Sequence, residues 1–138
     1  MKPKGIILSG GPESVSSTKI HKLSGFILES GIPILGICYG MQLITHYFKG
    51  KVSLSTKKEF GHSTFKITKS SKLFNSLNKK IKLKVWMSHS DKVSKLPVGF
   101  ENLGSSDNKK LLPYQTLLEK FMAYSFIQKL HIQILVHK

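Results

Sequence analysis

Two short apolar runs, each ended by a turn and followed by a helix-like segment, constrain the fold of this chain most strongly. The runs are residues 5–8, before Ser9-Gly10-Gly11-Pro12, and residues 33–37. Apolar side chains recur at roughly helical spacing over residues 18–30 and 41–48, which glycines follow. This order of strand, helix, strand and helix predicts a parallel sheet covered by helices.

The second half of the chain has the pattern of short strands. Residues 52–67 are typical of two strands, with Glu59-Phe60-Gly61-His62 between them. Lysine alternates with apolar residues over 82–87, which predicts a strand with one solvated face, and we expect a loop at residues 88–91. Residues 100–105 indicate one more strand. We therefore expect an α/β domain with a partial doubly wound, mostly parallel sheet, flanking helices and a small antiparallel region.

Length and composition exclude several classes of protein. The chain has 138 residues, which suits one domain, and its 40% hydrophobic content argues against disorder. A single cysteine excludes an internal disulfide and a cysteine-based zinc site, and it fits a reducing compartment such as the cytoplasm. No apolar run reaches the roughly 18 residues of a membrane-spanning helix. The opening apolar stretch is also too short for a signal peptide.

The charge of the chain raises the question of a nucleic-acid partner. The net charge is +15, and all 22 basic residues are lysines. A positive field attracts polyanions, so a lysine-rich nucleic-acid-binding module is one alternative. Arginine, whose guanidinium reads guanine with two hydrogen bonds, is absent, and lysines are spread from Lys2 to Lys138. Coding in an AT-rich gene would produce lysine without arginine, so we favour that explanation over a nucleic-acid partner.

The sharpest local motif is Gly36-Ile37-Cys38-Tyr39-Gly40, between a predicted buried strand and a helix. The same arrangement around serine is a nucleophile elbow, in which glycines permit a sharp turn that lifts the nucleophile above the sheet. The N-terminus of the helix favours a thiolate there. The alternative is an inert buried cysteine. In a parallel sheet the Gly10-Gly11 turn lies at the same edge. A glycine N–H of this turn is predicted to donate to an oxyanion, next to the N–H of Tyr39. The alternative is a simple tight turn.

These motifs, with their surroundings, resemble the class I glutamine amidotransferase domain, and most narrowly the form of it found in GMP synthases. The likeness covers about residues 3–108 in the same order and spacing. The segments that carry it are Gly5-Ile6-Ile7-Leu8-Ser9-Gly10-Gly11-Pro12-Glu13-Ser14-Val15, Gly36-Ile37-Cys38-Tyr39-Gly40-Met41-Gln42, Glu59-Phe60-Gly61-His62 and Val85-Trp86-Met87-Ser88-His89-Ser90-Asp91-Lys92-Val93.

The resemblance implies that a cysteine hydrolyses glutamine to glutamate and ammonia through a thioester. Cys38 is then the nucleophile, Gly11 and Tyr39 supply oxyanion N–H groups, and Gln42 holds the substrate. Ser90 and Asp91 are expected to border the glutamine site.

His89, His46 and His62 are interpreted as structural or surface groups, and no cluster of residues has metal-ligand spacing. The resemblance implies no cofactor in this domain. ATP and magnesium belong to a separate ATP pyrophosphatase domain or subunit, which aminates XMP to GMP in purine biosynthesis and is the implied partner.

The chain departs from the family pattern near both ends. The family domain opens with a further strand and helix before the segment that starts at Lys4, so a truncated domain is expected. The family takes its base and orienting acid from a late Tyr-Gly-Val/Ile-Gln-Phe-His-Pro-Glu motif, and no His-Pro-Glu occurs in these 138 residues. The resemblance therefore leaves open whether this chain is an active enzyme.

A change of reading frame accounts for the missing motif. When the codons from Phe121 onward are regrouped by one base, they can encode Tyr-Gly-Ile/Val-Gln-Phe-His-Pro-Glu. Asn108-Lys109-Lys110 would be coded by a run of A bases, where slippage is easy. We therefore interpret residues 1–110 as an incomplete amidotransferase domain and residues 111–138 as an out-of-frame tail, which makes the chain an inactive remnant.

Two other readings of the C-terminal part remain. One is a divergent helix that uses Leu117, Leu118, Phe121, Phe126 and Leu130. The other is a working stand-alone amidotransferase subunit that borrows a base from His131, His89 or a partner chain.

Overall fold

In the part of the chain that the structure describes, the fold consists of two sheets and two helices. The computed structural model describes residues 3–11, 15, 23–71, 74, 82–106, 114–116 and 121–124. Along the chain the elements are β1 (Ile6–Leu8), α1 (Gly25–Glu29), β2 (Ile34–Ile37), α2 (Tyr39–Tyr47), β3 (Lys51–Ile67), β4 (Lys82–Lys95), β5 (Phe100–Asn102), β6 (Gly104–Ser106), β7 (Tyr114–Thr116) and β8 (Phe121–Tyr124). The predicted α/β class is therefore confirmed.

The larger sheet has the strand order β1-β2-β8-β7-β5. Strand β2 pairs in parallel with both β1 and β8, so the predicted parallel relation of the first two strands is confirmed. The β8–β7 and β7–β5 pairs are antiparallel. The strand that leads into Cys38 therefore lies between two parallel neighbours.

The second sheet is antiparallel, with the order β4-β3-β6, and it is the predicted antiparallel region. One face of the β3–β4 ribbon packs on a core cluster made of Phe65, Ile67, Phe74, Leu83, Val85 and Leu103. A second cluster joins the two sheets through α2, because Val93 of β4 packs with Ile34 of β2 and with Met41 and Ile44 of α2. The core thus fixes α2 between the cysteine strand and the ribbon.

Both helices are where the apolar spacing predicted them, but their bounds differ. Helix α1 starts only after Ser24, whose backbone is extended. The prediction of a helix is therefore wrong for Leu23 and Ser24. Residues 16–22 lie outside the described part of the chain. Gly31 ends this helix with a φ of 73°. Helix α2 is confirmed, although Lys49 rather than Gly50 takes the left-handed conformation after it.

The strand predictions need three corrections. Residues 51–67 form a single strand with an irregularity between Leu54 and Glu59, instead of two strands. The expected loop at 88–91 is part of β4, because antiparallel pairing with β3 continues through it. The strand expected at 100–105 is two short strands in different sheets, separated by the buried Leu103.

The C-terminal part supplies strands of the larger sheet. Residues 121–124 form β8, so a helix is wrong for that stretch. Residues 117–120 and 125–138 lie outside the described part of the chain. Across the described ranges, no helix has the length and apolar character needed to cross a membrane.

Candidate functional site

The turns that follow β1 and β2 meet at one edge of the larger sheet. Leu8 and Gly36 are register partners in this parallel pair, so the segments after them leave the sheet on the same side. A Cβ atom built on Gly10 would lie 3.4 Å from the Cβ atom of Cys38. A side chain at position 10 would therefore contact the candidate nucleophile, so the glycine keeps the space beside Cys38 open, a role that the glycine pair in the sequence does not by itself reveal.

The backbone of Cys38 has an unusual conformation for a residue with a side chain. Its φ is 50° and its ψ is −108°, at the junction between β2 and α2. Such conformations cost about 1–3 kcal/mol and concentrate at active sites, where the surrounding structure holds them. A strained strand-to-helix turn that carries a nucleophile is the geometry of the nucleophile elbow.

The two glycines of the motif allow α2 to approach the sheet closely. A Cβ atom on Gly36 would lie 2.7 Å from the Cδ1 atom of Ile44 and 2.8 Å from the backbone of Gly40. A Cβ atom on Gly40 would lie 2.7 Å from the Cβ atom of Leu8. Because side chains do not fit at either position, the Gly-x-Cys-x-Gly spacing is what this turn requires.

The thiol of Cys38 is half-buried at the N-terminus of α2. Burial raises the pKa of the Cys38 thiol above its ordinary value, because a charged thiolate loses solvation there. This effect opposes the thiolate stabilisation that the helix N-terminus was expected to give. The resting group is therefore the neutral thiol, and efficient attack on an amide needs a base that removes its proton.

Two further predicted residues, Tyr39 and Gln42, lie next to Cys38 on α2. Tyr39 is the first residue of the helix and is buried, and its Cδ1 atom lies 3.8 Å from the position of a Cβ atom on Gly11. The backbone N–H of Gln42 donates to the carbonyl oxygen of Cys38 at 3.1 Å. The structure thus brings together Gly11, Cys38, Tyr39 and Gln42.

The side chain of Gln42 has an unused acceptor. Gln42 is only 5% exposed, and its Oε1 atom accepts no hydrogen bond from the described residues. A buried amide oxygen without a donor costs about 1–3 kcal/mol, so such a group is more stable when a ligand donates to it. Gln42 is one helical turn from Cys38, which places both residues on the same side of α2.

Asp91 and Ser90 belong to β4 of the second sheet. Asp91 is 3% exposed, and Val93, on the same face of the strand, packs against Met41 of α2. The side chains of Ser90 and His89 lie outside the described part, so their predicted roles remain predictions.

The described histidines do not complete a catalytic pair. His46 is exposed in the last turn of α2, and the ring of His62 contacts that of Trp86. Neither of them hydrogen bonds to Cys38. Within the described ranges no group of three histidine, cysteine or acidic residues has the arrangement of a metal site.

Comparison with known families gives a match over most of the chain. The profile of the family described as "Glutamine amidotransferase class-I" matches residues 1–126. The GMP synthase (glutamine-hydrolysing) of Campylobacter jejuni strain 81-176 is 48% identical over 125 residues, which are 91% of this chain and 24% of that protein. The enzyme of the same name from Vibrio vulnificus strain YJ016 is 40% identical over 126 residues, which are 91% of this chain and 23% of that protein.

Solved structures agree with the fold. A Thermoplasma acidophilum protein, described as a candidate GMP synthase subunit, superposes with a TM-score of 0.73 at 27% identity. The superposition covers 89% of this chain and 62% of that one. The chain spans about a quarter of the length of the curated relatives that it matches.

Proposed function

This chain belongs to the class-I glutamine amidotransferase family, and we propose on that basis that it is a glutaminase domain of the GMP synthase type. The observation that carries the proposal is the strained backbone of Cys38, with its φ of 50°, beside the open space at Gly10 at the edge of the sheet. Glutamine is the proposed substrate, and the proposed product for a synthetase partner is ammonia.

The chemistry would proceed through Cys38. Its thiolate attacks the side-chain amide carbon of glutamine, and the carbonyl oxygen becomes an oxyanion beside the N–H groups of Gly11 and Tyr39. Protonation of the amide nitrogen releases ammonia and leaves a glutamyl thioester. Water then attacks the thioester, which frees glutamate and restores the thiol. In this scheme the unused Oε1 acceptor of Gln42 receives a hydrogen bond from the substrate.

We further propose that this chain performs the reaction poorly, because it lacks the family's His-Pro-Glu segment. A general base typically contributes about 10²–10⁴-fold to a rate, and burial raises the pKa of the Cys38 thiol, which increases the need for a base. The origin that we propose is the loss of one base near codons 108–112, with residues from about 111 onward out of frame.

In this proposal, β8 occupies the place of the strand that leads into the missing motif. Residues 121–124 are those where the shifted frame reads Tyr-Gly-Ile/Val-Gln, and they pair in parallel with β2, with Tyr124 opposite Ile37. Residues that follow two parallel strands leave the sheet at the same edge. In the repaired chain, the histidine of His-Pro-Glu would follow this strand by two residues, and we expect it at the edge that carries Cys38.

We also propose that this chain acts with a synthetase partner. An ATP pyrophosphatase domain or subunit would use the ammonia to aminate XMP, and ATP and magnesium would bind there rather than in this domain. This chain covers only 24% of the Campylobacter jejuni enzyme, so the rest of that enzyme is long enough to contain such a domain.

The decisive experiment compares two chains whose genes differ by one base. We expect the unmodified chain to release no more ammonia from glutamine than its Cys38→Ala variant. The chain made from a gene with one base restored near codon 110 is expected to release ammonia at least 100-fold faster. Resequencing codons 105–138 provides a direct check, since TTC for Phe126, ATC for Ile127 and CAG for Gln128 are needed to encode His-Pro-Glu in the shifted frame.

A different result would support the borrowed-base reading. If the unmodified chain releases ammonia well above the Cys38→Ala control, the proposal of a poor catalyst is wrong. Covalent labelling of Cys38 by an electrophilic glutamine analogue, lost in His89→Ala or His131→Ala, would then identify the base.

A further inference from the structure

One face of the β3–β4 ribbon is both basic and aromatic. Opposite residues on this face are His62 with Trp86, Thr64 with Lys84, and Lys66 with Lys82. All of them except Thr64 are exposed, and Trp86 is 43% exposed. We call this surface the basic ribbon face and define it by His62, Lys66, Lys82, Lys84 and Trp86.

The register of the ribbon fixes this surface. Phe65, Leu83 and Val85 alternate with the residues of the basic ribbon face, and they are buried on the opposite side in a core cluster. A shift of the pairing by one residue would bury the lysines and expose that cluster, so the register holds the lysines outward. The rings of His62 and Trp86 meet edge to face, with centroids 4.9 Å apart.

The lysines of the basic ribbon face carry positive charge that the described residues do not compensate, although Lys69 nearby in the sequence pairs with Glu101 at 2.7 Å. Residues 60–90 contain seven lysines and no acidic residue, and the net charge of the chain is +15. Among the described residues, no carboxylate forms an ion pair with Lys66, Lys82 or Lys84. Lysines two positions apart on a strand are about 6.6 Å apart, so Lys82 and Lys84 present a row of charges along the ribbon.

We propose that the basic ribbon face binds single-stranded nucleic acid. Single-strand binders combine positive charge along the backbone path with an aromatic side chain on which bases stack, and Trp86 beside the lysine row supplies both elements. Lysine is depleted in protein–protein interfaces, whereas nucleic-acid interfaces are strongly positive, so the composition of this face favours nucleic acid over an acidic protein.

This inference revises the expectation from the sequence, which rested on lysines spread along the whole chain. Lys66 and Lys82 are 16 positions apart, but antiparallel pairing places them opposite each other. The absence of arginine still bears on the type of recognition, because it removes the side chain that most often reads bases. We therefore infer binding without sequence preference.

Trp86 gives a direct readout, because it is the only tryptophan of the chain. Titration with a 20-nucleotide oligothymidylate should quench the tryptophan fluorescence to saturation. Trp86→Leu should weaken binding of a labelled oligonucleotide by about tenfold, the loss of one stacked base. Binding that leaves the fluorescence of Trp86 unchanged would overturn the proposal.

The salt dependence tests the lysines. Three neutralised phosphates correspond to a slope of about −2 in log affinity against log salt, or about a 20-fold loss between 50 and 200 mM. The triple variant Lys66→Gln, Lys82→Gln, Lys84→Gln should lose this part of the slope.

The matched control changes three other exposed lysines, namely Lys4→Gln, Lys51→Gln and Lys95→Gln. It has the same net charge as the test variant, and it should keep the slope of the unmodified chain. Equal losses in the two triple variants would show a general charge effect and overturn the proposal. Tighter binding of polyglutamate than of the oligonucleotide would indicate an acidic protein as the partner and would also overturn it.

Discussion

Gly40 of α2 lies directly against Leu8 of β1, so closely that a Cβ atom on the glycine would fall 2.7 Å from the Cβ atom of Leu8. This contact joins the two segments that form the candidate site, because Leu8 precedes the Gly10-Gly11 turn and Gly40 follows Cys38 by two positions. The last glycine of the motif is therefore a packing requirement of the site as well as part of its turn.

Gly40→Ala should destabilise the chain by about 1–3 kcal/mol or more, since the methyl group meets backbone atoms of β1 that cannot move aside. Gly5→Ala is the matched control, because its Cβ atom would find only an ordinary contact of 3.7 Å with the carbonyl oxygen of Pro33. Urea unfolding followed by circular dichroism measures both. Equal midpoints for the two variants would contradict the close packing of α2 on β1.

The sequence predicted the parts of the fold that local patterns determine. Strands β1 and β2, helix α2 and the glycines around Cys38 follow from apolar runs and turn residues in the immediate neighbourhood. Long-range pairing determines the rest. Residues 88–91 look like a loop because they are polar, yet pairing with β3 keeps them in a strand. The local pattern predicts one strand over residues 100–105. The structure has two strands there, on either side of Leu103, because each of them pairs in a different sheet.

The candidate site also combines features that the local sequence predicts with features that depend on long-range packing. Cys38, Tyr39 and Gln42 are close in sequence, so the motif alone placed them together. The position of Gly10 beside Cys38 depends on the parallel pairing of two strands that are 25 residues or more apart. Burial of the thiol, which raises the pKa of Cys38, arises from packing of several elements and has no local signal in the sequence.

Phe65→Ala should cost about 3–5 kcal/mol of the free energy of unfolding, because the side chain is 0% exposed and packs on Phe74. Phe26→Ala, at a position that is 83% exposed, should change it by less than about 0.5 kcal/mol. Chemical denaturation of the two variants side by side makes the comparison. A small effect at Phe65 would mean that the core under the β3–β4 ribbon is not packed as described.

Gln42→Leu should separate stability from substrate binding. Its buried Oε1 atom lacks a donor among the described residues, so an apolar side chain of similar size should leave the stability unchanged or raise it by about 1 kcal/mol. Labelling of Cys38 by an electrophilic glutamine analogue should become at least tenfold slower, while labelling by iodoacetamide should not change. Slower reaction with both reagents would indicate that the substitution disturbs Cys38 itself rather than a glutamine contact.

The reactivity of Cys38 should depend on pH in a way that reports its burial. Burial raises the pKa of the folded thiol, so its reaction with iodoacetamide should reach half-maximum at a higher pH than in the urea-unfolded chain, where a cysteine titrates near about 8.5. The folded state then holds its proton at pH values where the unfolded state has released it, so stability falls as the pH rises above about 8.5. Cys38→Ala should lose this part of the pH dependence and serves as the control. A reactivity midpoint below that of the unfolded chain would show that the helix N-terminus outweighs burial.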